Sequence, residues 1–196
     1  MTPIVLASAS WTRKSLLEAA GVPVVVETSE VDEAAIKAAS SGGDTDQTAL
    51  ALAERKALAV AVRRSPALVI GADQMLECEG RWFDKPDDQG AARDQLRALR
   101  GKTHRLVTAV VLASGRQIRW RHVEAAVLTM RPFSDQFLEA YLARAGDAVL
   151  ASVGAYQLEG LGAQLFDRIV GDHFTILGLP LLPLLAALRA EGALVA

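Results

Sequence analysis

Residues 67–73 read Ala67-Leu68-Val69-Ile70-Gly71-Ala72-Asp73. An unbroken apolar run with β-branched residues, closed by glycine and a carboxylate, predicts a strand buried on both faces, the habit of parallel sheets. Toward the N-terminus, Ile4-Val5-Leu6-Ala7 repeats the pattern, followed by Ser8-Ala9-Ser10 and a helical periodicity through Leu16, Leu17 and Ala20, with Gly21 at the helix end. Val22 to Val26 reads as another strand. From Thr45 to Arg64, Leu50, Ala53, Ala57, Val60 and Ala61 recur at helical spacing, so a long amphipathic helix feeds the strand at 67. Strand, helix and strand in this order predict parallel pairing near the start, with Asp73 at the carboxyl end of its strand, where open α/β sheets hold ligands.

The remaining segments fit around this frame. Val31 to Asp46 is rich in Ala, Ser, Gly and Asp and predicts a mobile loop or short helix, with Ser40-Ser41-Gly42-Gly43 inside it. Gly80 predicts a hairpin between Met75–Cys78 and Arg81–Phe83. Asp87 and Asp88 open a helix closed by Arg100-Gly101, and residues 105–113 and 118–130 predict two long antiparallel strands turning at Ser114-Gly115. Ser134 caps a helix to Ala145, several glycines interrupt the chain from Gly154 to Gly171, and a last helix runs from Pro180 to Arg189. The fold class is α/β, a mixed sheet with helices, in one domain over residues 1–196.

Composition limits the function classes. Of 196 residues, 51% are hydrophobic, enough for a sizeable core, and the formal charge of −2 arises from mixed signs, against a basic surface built for nucleic acid. Cys78 is the only cysteine, so no intrachain disulfide forms, which suits a reducing, cytoplasmic setting. Met1 to Ala9 is too short an apolar run for a signal peptide, and the apolar stretch Ile176 to Leu188, broken by Pro180 and Pro183, reads as core rather than a membrane span.

Several residues could carry chemistry. Ser8-Ala9-Ser10-Trp11-Thr12-Arg13-Lys14 gathers small residues and two cations at a helix N-terminus, the outline of a phosphate site, although an ordinary Ser10 cap explains it equally. Asp73 could accept a proton or hold a metal, or serve as a turn residue. Lys85 precedes Pro86, which restricts its backbone and can aim its ammonium. Lys56 lies at the edge of an apolar helix face, placed to snorkel or to reach an anion. Glu30, Asp32 and Glu33 offer hard oxygen donors beside the flexible segment. His104, His122 and His173 are widely spaced and predict structural or exposed roles, and of Trp11, Trp82 and Trp120 at least one should pack in the core.

Taken in order, Leu6-Ala7-Ser8-Ala9-Ser10 with Arg13, Val31-Asp32-Glu33, Ala53 with Lys56-Ala57, Ile70-Gly71-Ala72-Asp73, Lys85-Pro86, Leu99-Arg100-Gly101-Lys102-Thr103-His104, Gly154-Ala155-Tyr156, Leu158-Glu159-Gly160 and Gly171-Asp172 with Leu177-Gly178-Leu179-Pro180 resemble the Maf-like nucleotide pyrophosphatases. The resemblance covers essentially the whole chain. It implies a twisted mixed sheet with two lobes around a central cleft, and housecleaning hydrolysis of nucleoside triphosphates to monophosphates and pyrophosphate, dependent on Mg²⁺ or Mn²⁺. By position, Asp73 matches the family's proton acceptor, Ser8, Arg13, Lys56 and Lys85 its phosphate-binding residues, and Glu33 a metal-site residue.

Thr12, Gln74 and Glu159 match the family's specificity positions. The subgroup acting on thymidine and uridine triphosphates has arginine, threonine and glutamine there, and the one acting on 7-methylguanosine triphosphate has tryptophan, glutamine and glutamate. This chain shares two of three with the latter, while Trp11 stands where proline is common. The resemblance therefore implies a general nucleoside triphosphate pyrophosphatase, with selectivity for 7-methylguanosine triphosphate as the alternative. The family's association with inhibition of septum formation keeps open a non-catalytic binding role in cell division. A homodimer is the expected assembly, with no nucleic-acid or membrane partner.

Overall fold

The computed structural model describes residues 2–40 and 43–195; Ser41 and Gly42, within the segment read as loop or short helix, lie outside the described residues. Strand β1 (Ile4–Leu6) leads into α1 (Trp11–Ala19), β2 (Val25–Val26), α2 (Glu33–Ala39), α3 (Thr45–Ala61) and β3 (Leu68–Cys78). The hairpin strand β4 (Arg81–Phe83) and helix α4 (Gln89–Leu99) follow, then β5 (Thr103–Ser114), β6 (Gln117–Met130), α5 (Asp135–Ala145), three short 3-10 turns, β7 (Phe166–Val170), α6 (His173–Ile176) and α7 (Leu181–Ala190). The strands form a mixed seven-stranded sheet of order β2-β1-β3-β5-β6-β7, with β4 paired to β3.

Pairing follows the sequence pattern at both ends of β3. Ile4, Val5 and Leu6 lie parallel to Leu68, Val69 and Ile70, whereas Leu76, Glu77 and Cys78 pair antiparallel with Phe83, Trp82 and Arg81 across the Gly80 turn. Gly80 supplies a positive φ of 75° there. The side chains of Asp32, Asp44, Asp88 and Ser134 each accept a backbone N–H at the start of the helix that follows, as N-caps do.

The chain divides into two compact units. The first contains Met1–Gln74, Val107–Glu124 and Asp172–Ala196. Its core joins Ile4, Leu6, Leu17, Leu68, Ile70, Val110 and Leu112 to Leu179, Leu181, Leu184 and Leu188, so the apolar C-terminal stretch is core as expected. In the second, Met75–Leu106 and Ala125–Gly171, α4 packs against α5 and the 3-10 turns over buried Leu96, Leu99, Leu138 and Leu142. Among the described residues, no helix is long and apolar enough to cross a membrane.

Several boundaries differ from expectation. The strand predicted over Val22–Val26 shrinks to two residues: Pro23 offers no N–H, and β2 has only Val5 and Leu6 to pair with. Of the loop or short helix expected before α3, the structure shows the short helix, because Asp32 caps it and alanines favour it. Strand β7 and helix α6 lie in the glycine-interrupted region; β7 pairs with β6 at the sheet edge and shows no alternation in burial, so no period-two signal announces it.

Candidate active site

The local geometry begins at Gly71. A Cβ there would come within 2.3 Å of the Ala53 carbonyl oxygen and 2.7 Å of the Ala57 backbone nitrogen and Cβ. Only glycine lets α3 lie so close to β3, and Ala53 and Ala57, small and fully buried, form the matching face. Lys56 rides on this contact. Because strand side chains alternate, Asp73 shares Gly71's face of β3 and so meets the helix. The Lys56 ammonium donates to Asp73 Oδ1 at 2.5 Å and pairs with Glu33 Oε1 at 2.8 Å.

Lys56 is 9% exposed and Asp73 5%, so the lysine turns inward to two carboxylates instead of snorkelling to solvent. A buried pair of this kind is costly to break: removing Lys56 would strand the Asp73 charge at about 3–5 kcal/mol. Glu33 opens α2, which packs on α3, and its half-exposed side chain closes the group from the solvent side.

Asp73 does not end its strand, contrary to expectation. It lies inside β3, which runs on to Cys78 because a second, antiparallel partner, β4, takes over its pairing. What ends is β1, at Leu6. Ala7 N donates to Ile70 O at 2.8 Å as the last backbone bond on that edge, and Arg13 Nη1 donates to the next carbonyl, Ala72 O, at 3.0 Å. The guanidinium thus continues the ladder that β1 abandons. Its Nε donates to Gly178 O at 2.7 Å and its Nη1 also to Ser8 Oγ at 3.2 Å. Burial lowers the Arg13 pKa, while the negative charges of Asp73 and Glu33 oppose that shift. Ser10 caps α1, accepting from Arg13 N at 3.3 Å, so the capping role and the gathering of Ser8 and Arg13 coexist.

Of the expected residues, the first unit therefore brings Ser8, Arg13, Glu33, Lys56 and Asp73 into one linked set. Gln74, on the opposite face of β3, donates through Nε2 to Thr108 Oγ1 at 2.9 Å, Thr175 O at 3.0 Å and Ile176 O at 3.1 Å. Thr12 is half-buried on α1, and Trp11 beside it is 77% exposed, so it is no core residue. Trp120 packs partly against the core.

Lys85 and Glu159 belong to the second unit and are exposed, Lys85 in the loop after β4 and Glu159 in a turn before the last 3-10 segment. In the same unit His104 is buried, its Nε2 2.7 Å from the Tyr156 hydroxyl, and burial pushes its pKa down to about 4. That environment makes it structural, in keeping with its isolation in sequence. Thr108, which contacts Gln74, escapes sequence reasoning, a threonine inside an apolar strand being its only available signal, whereas Gly178, which contacts Arg13, is quoted in a motif but with no role assigned.

The donor set for a metal is small. Among the described residues no three His, Cys, Asp or Glu side chains gather. Glu33 and Asp73 do converge, with the Lys56 ammonium as the cation between them. Mg²⁺ takes hard oxygens and is held by one or two carboxylates plus water and substrate phosphates, so the chemistry of two carboxylates beside the Lys56 and Arg13 cations fits such an ion.

A model of the Maf-like protein family matches residues 3–191. The chain belongs to the Maf-like family. A nucleoside triphosphate pyrophosphatase of Paramagnetospirillum magneticum is 55% identical over 193 residues, covering 97% of this chain and 99% of the relative. A 7-methyl-GTP pyrophosphatase of Rhizobium meliloti is 49% identical over 193 residues, covering 97% of each. Among solved structures, a nucleoside-triphosphatase, dITP/XTP pyrophosphatase, from Mycobacterium abscessus aligns with TM-score 0.47 at 17% identity, covering 98% of this chain and 97% of the other. Membership in the Maf-like family bears out the resemblance drawn from the motifs.

Proposed function

We propose that this Maf-like chain hydrolyses nucleoside triphosphates to the monophosphate and pyrophosphate, a housecleaning activity in the cytoplasm. The observation that carries it is a buried carboxylate, Asp73, tied through one oxygen to Lys56 on a glycine-tight helix contact, in the same unit as Arg13 and Ser8. The names of relatives near half identity support the same activity.

In-line attack at the α-phosphorus requires a positioned water, charge neutralisation at the phosphate and a stabilised leaving group. Asp73 orients the water and accepts its proton as the oxygen–phosphorus bond forms. Lys56 fixes the carboxylate through Oδ1. Arg13, Lys56 and Lys85 offset phosphate charge, and Ser8 adds a hydroxyl donor. Glu33 would hold a Mg²⁺ or Mn²⁺ ion, which would supply Lewis-acid neutralisation of phosphate oxygens when bound. Thr12, Gln74 and Glu159 are assigned to base selection; two of the three residues agree with selectivity for 7-methylguanosine triphosphate, but Thr12 cannot stack on a methylated ring, which favours a broader substrate range.

The test is to incubate the purified protein with Mg²⁺ or Mn²⁺ and a panel of ordinary and modified nucleoside triphosphates, separating the products. Monophosphate with pyrophosphate is expected, and Asp73→Asn should abolish its release while the protein stays folded. Diphosphate with phosphate, or full activity in Asp73→Asn, would refute the mechanism. No turnover of any nucleotide would move a binding role in cell division to the front.

A further inference from the structure

The hydrogen bonds around Gln74 fix which end of its amide is available. Thr108 is fully buried, and its one hydroxyl proton goes to Thr175 O at 3.0 Å, so toward Gln74 this hydroxyl can only accept. Thr175 O and Ile176 O are acceptors as well. Three acceptors surround one end of the amide, and only the NH₂ end can donate to them, its two protons shared among the three; the reverse orientation would set Oε1 against the lone pairs of both carbonyls. The turn that carries the two carbonyls is itself held. Asp172 caps α6 by accepting from Thr175 N at 3.0 Å and from the Thr175 hydroxyl at 3.3 Å, and Gly178 N donates to Thr175 O at 3.0 Å.

Oε1 therefore points away from the three acceptors. A Cβ built on Gly178 would lie 3.7 Å from Gln74 Oε1 and 3.5 Å from Arg13 Nε, so the amide oxygen and the guanidinium border the same small residue. They do so at the edge of β3 that β1 leaves after Leu6.

We propose that Thr108 is a positioning residue for specificity: with the Thr175 and Ile176 carbonyls it locks the Gln74 amide so that Oε1 is presented as an acceptor to a ring N–H of the nucleobase. This rests on the nucleotide reading of the site. A base that offers a ring N–H is then favoured over the same base with that nitrogen methylated, and the preference passes through Thr108, which touches no substrate.

The experiment measures kcat/KM of the full chain for UTP against 3-methyl-UTP and for GTP against 1-methyl-GTP, in wild type, Thr108→Val and Thr108→Ser. Wild type should prefer the unmethylated partner about tenfold or more, since a polar site discriminates strongly against a lost hydrogen bond. Thr108→Val should shrink that ratio about fivefold, the worth of one net hydrogen bond, and Thr108→Ser should retain it. A second readout needs no substrate: the Gln74 side-chain NH₂ resonances, assigned by their loss in Gln74→Met, should exchange slowly with solvent in wild type and faster in Thr108→Val. Turnover without a methylation preference, or an unchanged ratio and exchange rate in Thr108→Val, would overturn the inference while leaving the pyrophosphatase reading intact. Absence of all turnover would instead sink that reading, and the base preference with it.

Discussion

Replacing Gly71 with alanine should injure stability and catalysis together. The new Cβ would meet the Ala53 carbonyl oxygen at 2.3 Å, and bringing that contact out to 3.0 Å requires α3 and β3 to part by about 0.7 Å. Two of the three clashing atoms are backbone, so no rotamer change relieves them. Overpacking of this kind costs about 1–3 kcal/mol, and a rigid backbone clash belongs at the upper end, about 3 kcal/mol. For a chain of this size each kcal/mol lowers Tm by about 2–4 °C, which gives a fall of about 6–12 °C. Lys56 moves with α3, stretching its 2.5 Å contact with Asp73 to about 3.2 Å. Since a misplacement near 1 Å can cost on the order of 100-fold in rate, turnover should drop on the order of tenfold. Thermal denaturation and pyrophosphate release on the same preparation check both numbers. An alanine variant with Tm within about 1 °C and turnover within about twofold of wild type would show that the glycine contact does not set the lysine.

Other consequences are as direct. Glu33→Gln should raise the Mg²⁺ concentration needed for half-maximal turnover more than it lowers the maximal rate, measured by metal titration after chelation. Lys85→Ala should depress turnover of every nucleotide alike, and a defect confined to one base would contradict its phosphate role. Glu159→Gln should reorder the bases instead, and an unchanged ranking would remove Glu159 from the specificity set. His104, with its pKa lowered from 6.5 to about 4, binds its proton more readily in the unfolded chain, so its contribution to stability is full above about pH 6.5 and is lost as pH falls toward 4. The shift corresponds to about 3 kcal/mol; His104→Gln should flatten the dependence of unfolding free energy on pH in that window, and an equal slope in both proteins would exclude His104 as its source.

Much of the fold is legible in the sequence because it rests on local signals. Apolar runs at 4–7 and 67–70, the Gly80 turn and the capping residues Asp88 and Ser134 each act within a few positions. Strand β7 is not legible, since an edge strand with exposed side chains has no burial alternation to read. Asp73 stands out by its place after an apolar run, yet its neighbours on the opposite side of the contact do not. Lys56 reads as placed either to snorkel or to reach an anion, because helical spacing shows that it borders the apolar face but not that two carboxylates await it there. The Thr108, Thr175 and Gln74 contacts join residues 34 and 101 positions apart, a separation that periodicity and capping rules do not span.

Asp73 and Gln74 are adjacent in the chain, yet the pleat of β3 sends them to different neighbourhoods, Asp73 to α3 and Gln74 to α6. Substitutions that retune one neighbourhood need not touch the packing of the other. On the proposed assignment, such a division would let a lineage change which molecules it accepts while the residues proposed to break the bond are inherited intact, with the boundary between those two kinds of variation at a single peptide bond.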